Sequence, residues 1–233
     1  MRKINATQIM TFFVLLFPAI ALSVVTAHGL ANALPESDLR GVFVFLLWLV
    51  LLYLYVIAVF RVFLVLMPMT DGPLGKGSRE EFIYHVYLLF SLIFFQPLTR
   101  SLLIPVPLMR LVYLALGAKL GDNTYSGGTI LDPPLVRIGS NTIIGHDAVL
   151  FSHAMEGDSL ELATIEIGNN VTIGAKAVIM PGVKIGDYAI IAVNAVVIKG
   201  TQVGPGERWG GIPAQRLRAG AAANSTGSAQ NSN

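Results

Sequence analysis

Val171-Thr172-Ile173-Gly174-Ala175-Lys176-Ala177-Val178-Ile179-Met180-Pro181-Gly182-Val183-Lys184-Ile185-Gly186-Asp187-Tyr188-Ala189-Ile190-Ile191 places an isoleucine at 173, 179, 185 and 191, one every six residues. The same beat runs outward through Ile138, Ile144, Leu150 and Ile167 on one side and Val197 and Val203 on the other. Gly or Ala usually follows the aliphatic residue, as at Gly139, Gly145, Gly168, Gly174, Gly186 and Ala192. A small or β-branched residue stands three further on, at Thr142, Ala148, Val171, Ala177, Val183, Ala189 and Ala195. One interruption, Phe151–Glu166, breaks the beat, and two of the four histidines (His146 and His153) lie just before it or within it.

Period six matches neither an amphipathic helix nor an alternating strand. It fits a parallel coil in which each hexad supplies one short strand and one turn. The aliphatic residue then points inward and stacks on its equivalents about 4.8 Å away. The small residue fits the tapering interior, and Gly or Asn at the corners tolerates turn geometry. Such repeats bury a core only by stacking several deep.

Composition separates this region from the rest of the chain. Of 233 residues, 54% are hydrophobic and 13% charged, where soluble domains carry about 25% charge. Part of the chain is therefore expected in lipid. The net charge of +2 comes with no basic run, which excludes an electrostatic footprint for nucleic acid. The absence of cysteine excludes disulfides, thiolate zinc sites and a cysteine nucleophile.

Residues 1–117 read as a membrane domain. About 9–33 and 41–67 are each long enough to span a bilayer, joined by a turn at Leu34-Pro35-Glu36-Ser37-Asp38. Thr70–Glu81 is polar and Gly-rich, a loop. About 82–117, broken by Pro97, Pro105 and Pro107, reads either as a re-entrant or interfacial pair or as a further span with a linker. Arg2 and Lys3 precede the first span, and Arg61, Lys76 and Arg79 end or follow the second. The positive-inside rule places both ends of this pair in the cytoplasm. Residues 118–218 form the coil domain. The tail 219–233, of Ala, Gly, Ser, Asn, Thr and Gln, is expected to be disordered.

The coil resembles the hexapeptide-repeat acyltransferases, which fold as a left-handed parallel β-helix. The resemblance covers roughly 121–218. Val171–Val183 is similar to the family's penultimate coil, and Gly210-Gly211-Ile212-Pro213-Ala214-Gln215-Arg216-Leu217-Arg218 to the ending of its sugar O-acetyltransferase branch. The resemblance implies a homotrimer with sites between neighbouring coils, acetyl-CoA or another acyl-CoA as co-substrate, and no metal. The expected fold class is mixed: an α-helical transmembrane region followed by the left-handed β-helix. The expected place is the inner (cytoplasmic) membrane, multi-pass, with the coil in the cytoplasm and a glycan or lipid-linked acceptor.

Acyl transfer needs a base for the acceptor proton, and histidine suits it. The family's base lies near a corner beside an inserted loop, which selects His153, at position four counted from Leu150. Without gaps the family's base falls on Met155 or Ser152, a shift of one or two residues. His146 is the alternative. The family's acceptor-holding Asn and Asp fall on Tyr125 and Pro133, with Asp132 the nearest acid, and Glu156 lies in the inserted loop. Substrate contacts are therefore expected at Tyr125, Asp132 and Glu156. Donor contacts are expected at Gly174, Ala175 and Ala192 along the late coils, with Lys199, Arg216 and Arg218 toward the phosphates. Trp209 could stack on adenine or cap the coil. Two alternatives have the same fold. A γ-carbonic anhydrase would use a Gly-His pair like Gly145-His146, but the next histidine is seven residues on and no third lies between His85 and His146. The other is a trimeric scaffold without catalysis.

Overall fold

Each hexad closes one side of a three-faced parallel coil in the computed structural model, which describes residues 3–33, 36–101 and 104–217. The expected disordered tail lies outside the described residues, as do Arg2, Arg218 and the Leu34-Pro35 part of the expected turn. The first face stacks Lys119–Leu120, Val136–Ile138, Ile165–Ile167, Lys184–Ile185 and Gln202–Val203. The second stacks Tyr125–Ser126, Ile143–Ile144, Thr172–Ile173, Ile190–Ile191 and Arg208–Gly211, with Ala214–Arg216 folded back antiparallel on the last. The third stacks Thr129–Ile130, Val149–Leu150, Val178–Ile179 and Val196–Val197.

Register follows the beat. Ile138, Ile167 and Ile185 pair in one ladder, Ile144, Ile173 and Ile191 in another, and Leu150, Ile179 and Val197 in the third. All of these are buried, as are the small residues Ala148, Ala177, Val183, Ala189 and Ala195 between them. The fourth position of most hexads takes the left-handed backbone, with φ between 53° and 62° at Asn123, Asn141, Asp147, Asn170, Lys176, Tyr188 and Asn194. Asn and Asp tolerate that conformation best after Gly. The glycine at position two has a different cause. A Cβ on Gly174 would lie 2.4 Å from Val193 N, and one on Gly145 2.5 Å from Ala175 N, so the next coil leaves no room for a side chain.

The interruption is a hairpin, His153–Glu156 against Ser159–Leu162. The polar loop after the second helix supplies a third strand to it, Gly72–Pro73 pairing with Glu161–Leu162. Asp71 accepts from the Thr164 amide (3.1 Å) and hydroxyl (2.7 Å), and Lys76 meets Asp158 at 2.7 Å.

Helix α1 is Ala6–Ala31 and α2 is Arg40–Leu66. Helix α3, Arg79–Phe90, starts on a Ser78 cap that accepts from the Glu81 amide. It continues through a π-helical turn, Ser91–Phe95, into α4, Gln96–Arg100. The Gln96 amide reaches back to Ser91 O, and Pro97, with no N–H to offer, follows at once. Helix α5 is Val106–Leu116, ended by Gly117 at φ 110°. Thus 82–117 divides into a continuous apolar stretch, Arg79–Arg100, and a short helix. Among the described residues three helical stretches are long and apolar enough to cross a membrane: Ala6–Ala31, Arg40–Leu66 and Arg79–Arg100.

Two cores result. One fills the coil; the other joins Phe12 and Leu16 of α1, Phe60 and Phe63 of α2 and Tyr84, Tyr87 and Phe90 of α3 to Leu160 and Leu162 of the hairpin. The helices are thus packed onto the interruption in the coil.

Candidate active site

The departure from the coil at Leu150 positions His153. Position four turns through positive φ in most hexads; His153 begins an extended hairpin strand instead and has no positive φ. It is held at the corner between the third and first faces, where the preceding coil carries Leu131-Asp132-Pro133. His153 Nδ1 lies 2.7 Å from Asp132 Oδ2, which also accepts the Ser152 amide at 2.8 Å. Asp132 is 2% exposed. Its Oδ1 accepts from the Tyr87 hydroxyl of α3 at 3.3 Å, and the same hydroxyl lies 3.0 Å from Leu131 O. The rings of Phe151 and Tyr84 flank the imidazole at centroid distances of 5.8 and 6.1 Å.

Burial pulls the His153 pKa down, while the hydrogen bond and negative charge of Asp132 push it up; the balance stands above the ordinary 6.5. The carboxylate accepts from Nδ1–H, which leaves the Nε2 lone pair as the basic position. The side chain is 31% exposed, so the imidazole has a route to solvent. This is the arrangement of an oriented general base.

The other sequence candidates fall at several places. Asp132, expected at the acceptor, is buried beneath His153, since the proline-bounded turn aims its carboxylate at the next coil. His146 lies at a different corner, between the second and third faces, 73% exposed and 3.5 Å from its neighbour Asp147. Gly174, Ala175 and Ala192 stack above it on that corner. Lys199 lies on the His153 side instead, bonded to Glu161 of the hairpin. Arg216 pairs with Glu207 at 3.0 Å. Trp209 donates to the same Glu207 at 2.8 Å and packs on the end of the coil core, the position of a cap. Tyr125 is exposed on the first coil and Glu156 at the hairpin end. Sequence reasoning missed Tyr87, Tyr84 and Ser152.

Residues 164–206 match the family model described as bacterial transferase hexapeptide (six repeats). Over those residues the coil is similar to the hexapeptide-repeat transferases. The chain is 37% identical over 84 residues to the putative acetyltransferase YvoF of Bacillus subtilis (strain 168), covering 36% of this chain and 48% of that protein. It is 33% identical over 118 residues to the galactoside O-acetyltransferase of Escherichia coli (strain K12), covering 46% of this chain and 57% of that one. The solved hexapeptide-repeat acetyltransferase VCA0836 of Vibrio cholerae O1 biovar eltor, complexed with acetyl coenzyme A, is 29% identical. It covers 44% of this chain and 60% of that one, at a TM-score of 0.41. The chain spans about half the length of these acetyltransferase relatives, and the matches lie within less than half of its own. A mitochondrial gamma carbonic anhydrase 1 of Arabidopsis thaliana aligns at 30% over 95 residues, 40% of this chain and 34% of that one. Zinc catalysis takes three protein ligands and an open position. Among the described residues no three His, Cys, Asp or Glu gather to hold a metal, and His146 and His153 occupy separate corners.

Proposed function

We propose that this chain is a membrane-anchored acyltransferase that moves an acetyl group from acetyl-CoA to a glycan or lipid-linked acceptor. His153 is its general base and Asp132 the group that orients it. The observation that carries this is the 2.7 Å contact between a partly exposed imidazole and a buried carboxylate, on a coil whose relatives include acetyltransferases. In the reaction His153 Nε2 takes the proton of the acceptor hydroxyl or amine as that atom attacks the thioester carbonyl carbon. The tetrahedral intermediate collapses with cleavage of the C–S bond, and the imidazolium returns the proton to the departing CoA sulfur. Asp132 stabilises the imidazolium between those steps without being protonated.

The coil takes the left-handed winding and a homotrimer completes the site. Tyr125 and Ile143 on the second face, and Val193 and Ile198 at the corners, are apolar groups that one copy leaves exposed. Gly174, Ala175 and Ala192 form a stacked corner suited to pantetheine. Arg216, at the end of the second face, would exchange Glu207 for a phosphate, while Lys199, expected at the phosphates, is bonded to Glu161 on the His153 side. Helices α1 and α2 cross the inner membrane and return the coil to the cytoplasmic side. Arg79–Arg100 lies along that surface, because Tyr84 and Tyr87 on it touch His153 and Asp132 of the coil.

The test is mass spectrometry of lipids and surface glycans from cells carrying the native chain, no chain, or His153→Ala. An acetyl mass present only with the native chain supports the reading. An unchanged acetyl inventory in all three, with the purified chain failing to bind acetyl-CoA, overturns it.

A further inference from the structure

The first coil is two residues short at the corner where His146 lies. Ser126 pairs with Ile144 and Ile130 with Leu150. Between those partners the first coil has only Gly127 and Gly128 to turn the corner, where the second has Gly145, His146, Asp147 and Ala148. The shortcut is tight, since a Cβ on Gly128 would lie 2.3 Å from Ala148 O. Tyr113 of α5 seals its floor, accepting from the Ile130 amide at 3.1 Å and donating to Gly128 O at 3.2 Å. His146 and Asp147 therefore overhang a cleft of about 460 Å³ whose outer wall is the end of α4 and the start of α5.

The lining of the cleft is mixed. Ile104, Val106 and Met109 bring apolar groups to it, Arg100 and His146 cationic or proton-bearing ones, and Asp147 a carboxylate. The Arg100 side chain makes no hydrogen bond or ion pair among the described residues. One helical turn beyond Val106, Nη1 of Arg110 is buried with no hydrogen-bond partner among them. Arg100 ends the apolar stretch Arg79–Arg100, and α5 beside it exposes Leu108 and Leu111. An amphipathic element of this kind rests at the headgroup level of a bilayer, with its apolar side toward the acyl chains. Guanidinium groups there recognise phosphate through paired charge-assisted hydrogen bonds.

We infer that this cleft binds the phosphate headgroup of an anionic glycerophospholipid, with Arg100 and His146 on the phosphate. The first acyl segment lies against Ile104, Val106 and Met109, and Asp147 accepts from a headgroup hydroxyl. The site seats the coil on the membrane at a fixed height, at a corner distinct from that of His153. The inference rests on the membrane reading of the helices and not on acyl transfer.

The test uses the full chain in detergent, titrated with phosphatidylglycerol or phosphatidylcholine and read by native mass spectrometry. The native chain is expected to prefer phosphatidylglycerol. Arg100→Ala is expected to weaken that binding roughly tenfold, the loss of a charge-assisted hydrogen bond, while Arg79→Ala, an exposed cation elsewhere, leaves it unchanged. Val106→Trp, which fills the cleft, gives a second variant should Arg100→Ala fold poorly, and it should abolish the preference. Equal binding of the two lipids, or equal weakening by Arg79→Ala, overturns the site. Displacement of phosphatidylglycerol by millimolar inorganic phosphate would show a soluble-anion site and overturn the lipid assignment. Carbonate extraction of membranes tests the anchoring separately, and none of these readouts involves acetyl-CoA.

Discussion

Asp132→Asn separates the two influences that set the proposed base. In the native protein burial lowers the His153 pKa, and Asp132 more than offsets that through its hydrogen bond and its charge. Asparagine keeps the shape and a carbonyl acceptor but removes the charge. A hydrogen bond to a charged group contributes about 1.5–3 kcal/mol and a neutral one about 1, so the exchange removes roughly 1–2 kcal/mol. That is about one pH unit from the hydrogen bond alone, before the Coulombic part. The pull of burial remains, so His153 in the variant should titrate below 6.5 where the native residue titrates above it. The assay is an NMR titration of the imidazole C–H signals, with His153→Ala assigning one of four histidines. Stability should follow with opposite signs in the two proteins. A native pKa above 6.5 gives stabilisation that is full below pH 6.5 and lost as pH rises through the folded-state value. In the variant the depressed pKa gives stabilisation that is full above pH 6.5 and lost as pH falls through the folded-state value. If His153 still titrates at or above 6.5 in Asp132→Asn, the carboxylate is not what raises it and the oriented-base reasoning fails.

Turnover should agree with that titration: kcat/KM is expected to rise with pH through a pKa above 6.5, as His153 loses its proton. His153→Ala should lower acyl transfer by about 10²–10⁴ with CoA binding retained, whereas His146→Ala leaves turnover near native; the reverse pattern would give the role to His146. Tyr87→Phe removes a donor from Asp132, concentrates its charge, and should raise the His153 pKa further, the opposite of Asp132→Asn, while costing about 1–3 kcal/mol for the carbonyl left unpaired. Ile179→Ala in the coil, 0% exposed, should lower stability by about 2–5 kcal/mol, read by denaturant unfolding of the detergent-solubilised chain. Because the native chain has no cysteine, a single cysteine introduced at Asn194 should react with impermeant maleimide only after cells are opened; labelling of intact cells would invert the proposed topology.

The coil was legible because its physics is periodic. Inward direction, ladder register and the small residue beside each aliphatic all repeat with the hexad, so the run from Ile138 to Val203 carried the architecture in its spacing. The dyad was not, although its arithmetic lay in the sequence. Ile130 stacks under Leu150, which puts Asp132 beneath Ser152 and next to His153. Seeing this requires counting across a coil two residues shorter than its neighbours, and an acid before Pro133-Pro134 otherwise reads as a solvated turn. The hairpin had a local signal in Ser159-Leu160-Glu161-Leu162, whose alternation is that of a half-buried strand. Tyr84 and Tyr87 had none: on an apolar helix they look like any packed aromatic, and their partners, Leu131, Asp132 and His153, are 44 or more residues away in the chain.

That last failure shows how the two parts of the chain divide control of the base. The carboxylate that raises the His153 pKa comes from the coil. The helices pack against the pair through Tyr84 beside the imidazole and Tyr87 on Asp132, both fixed in the core that contains Phe60, Phe63 and Leu160. The two influences on that pKa, burial and Asp132, are opposed, so a shift of α3 against the coil changes the proton affinity of His153 without altering any residue of the coil. Bonds from the Asp71–Lys76 loop to the hairpin resist such a shift, and so does the packing of Val112 of α5, which touches both cores. The helices therefore act as more than a tether. Through Tyr84 and Tyr87 they pack against His153 and Asp132, the proposed base and its orienting carboxylate.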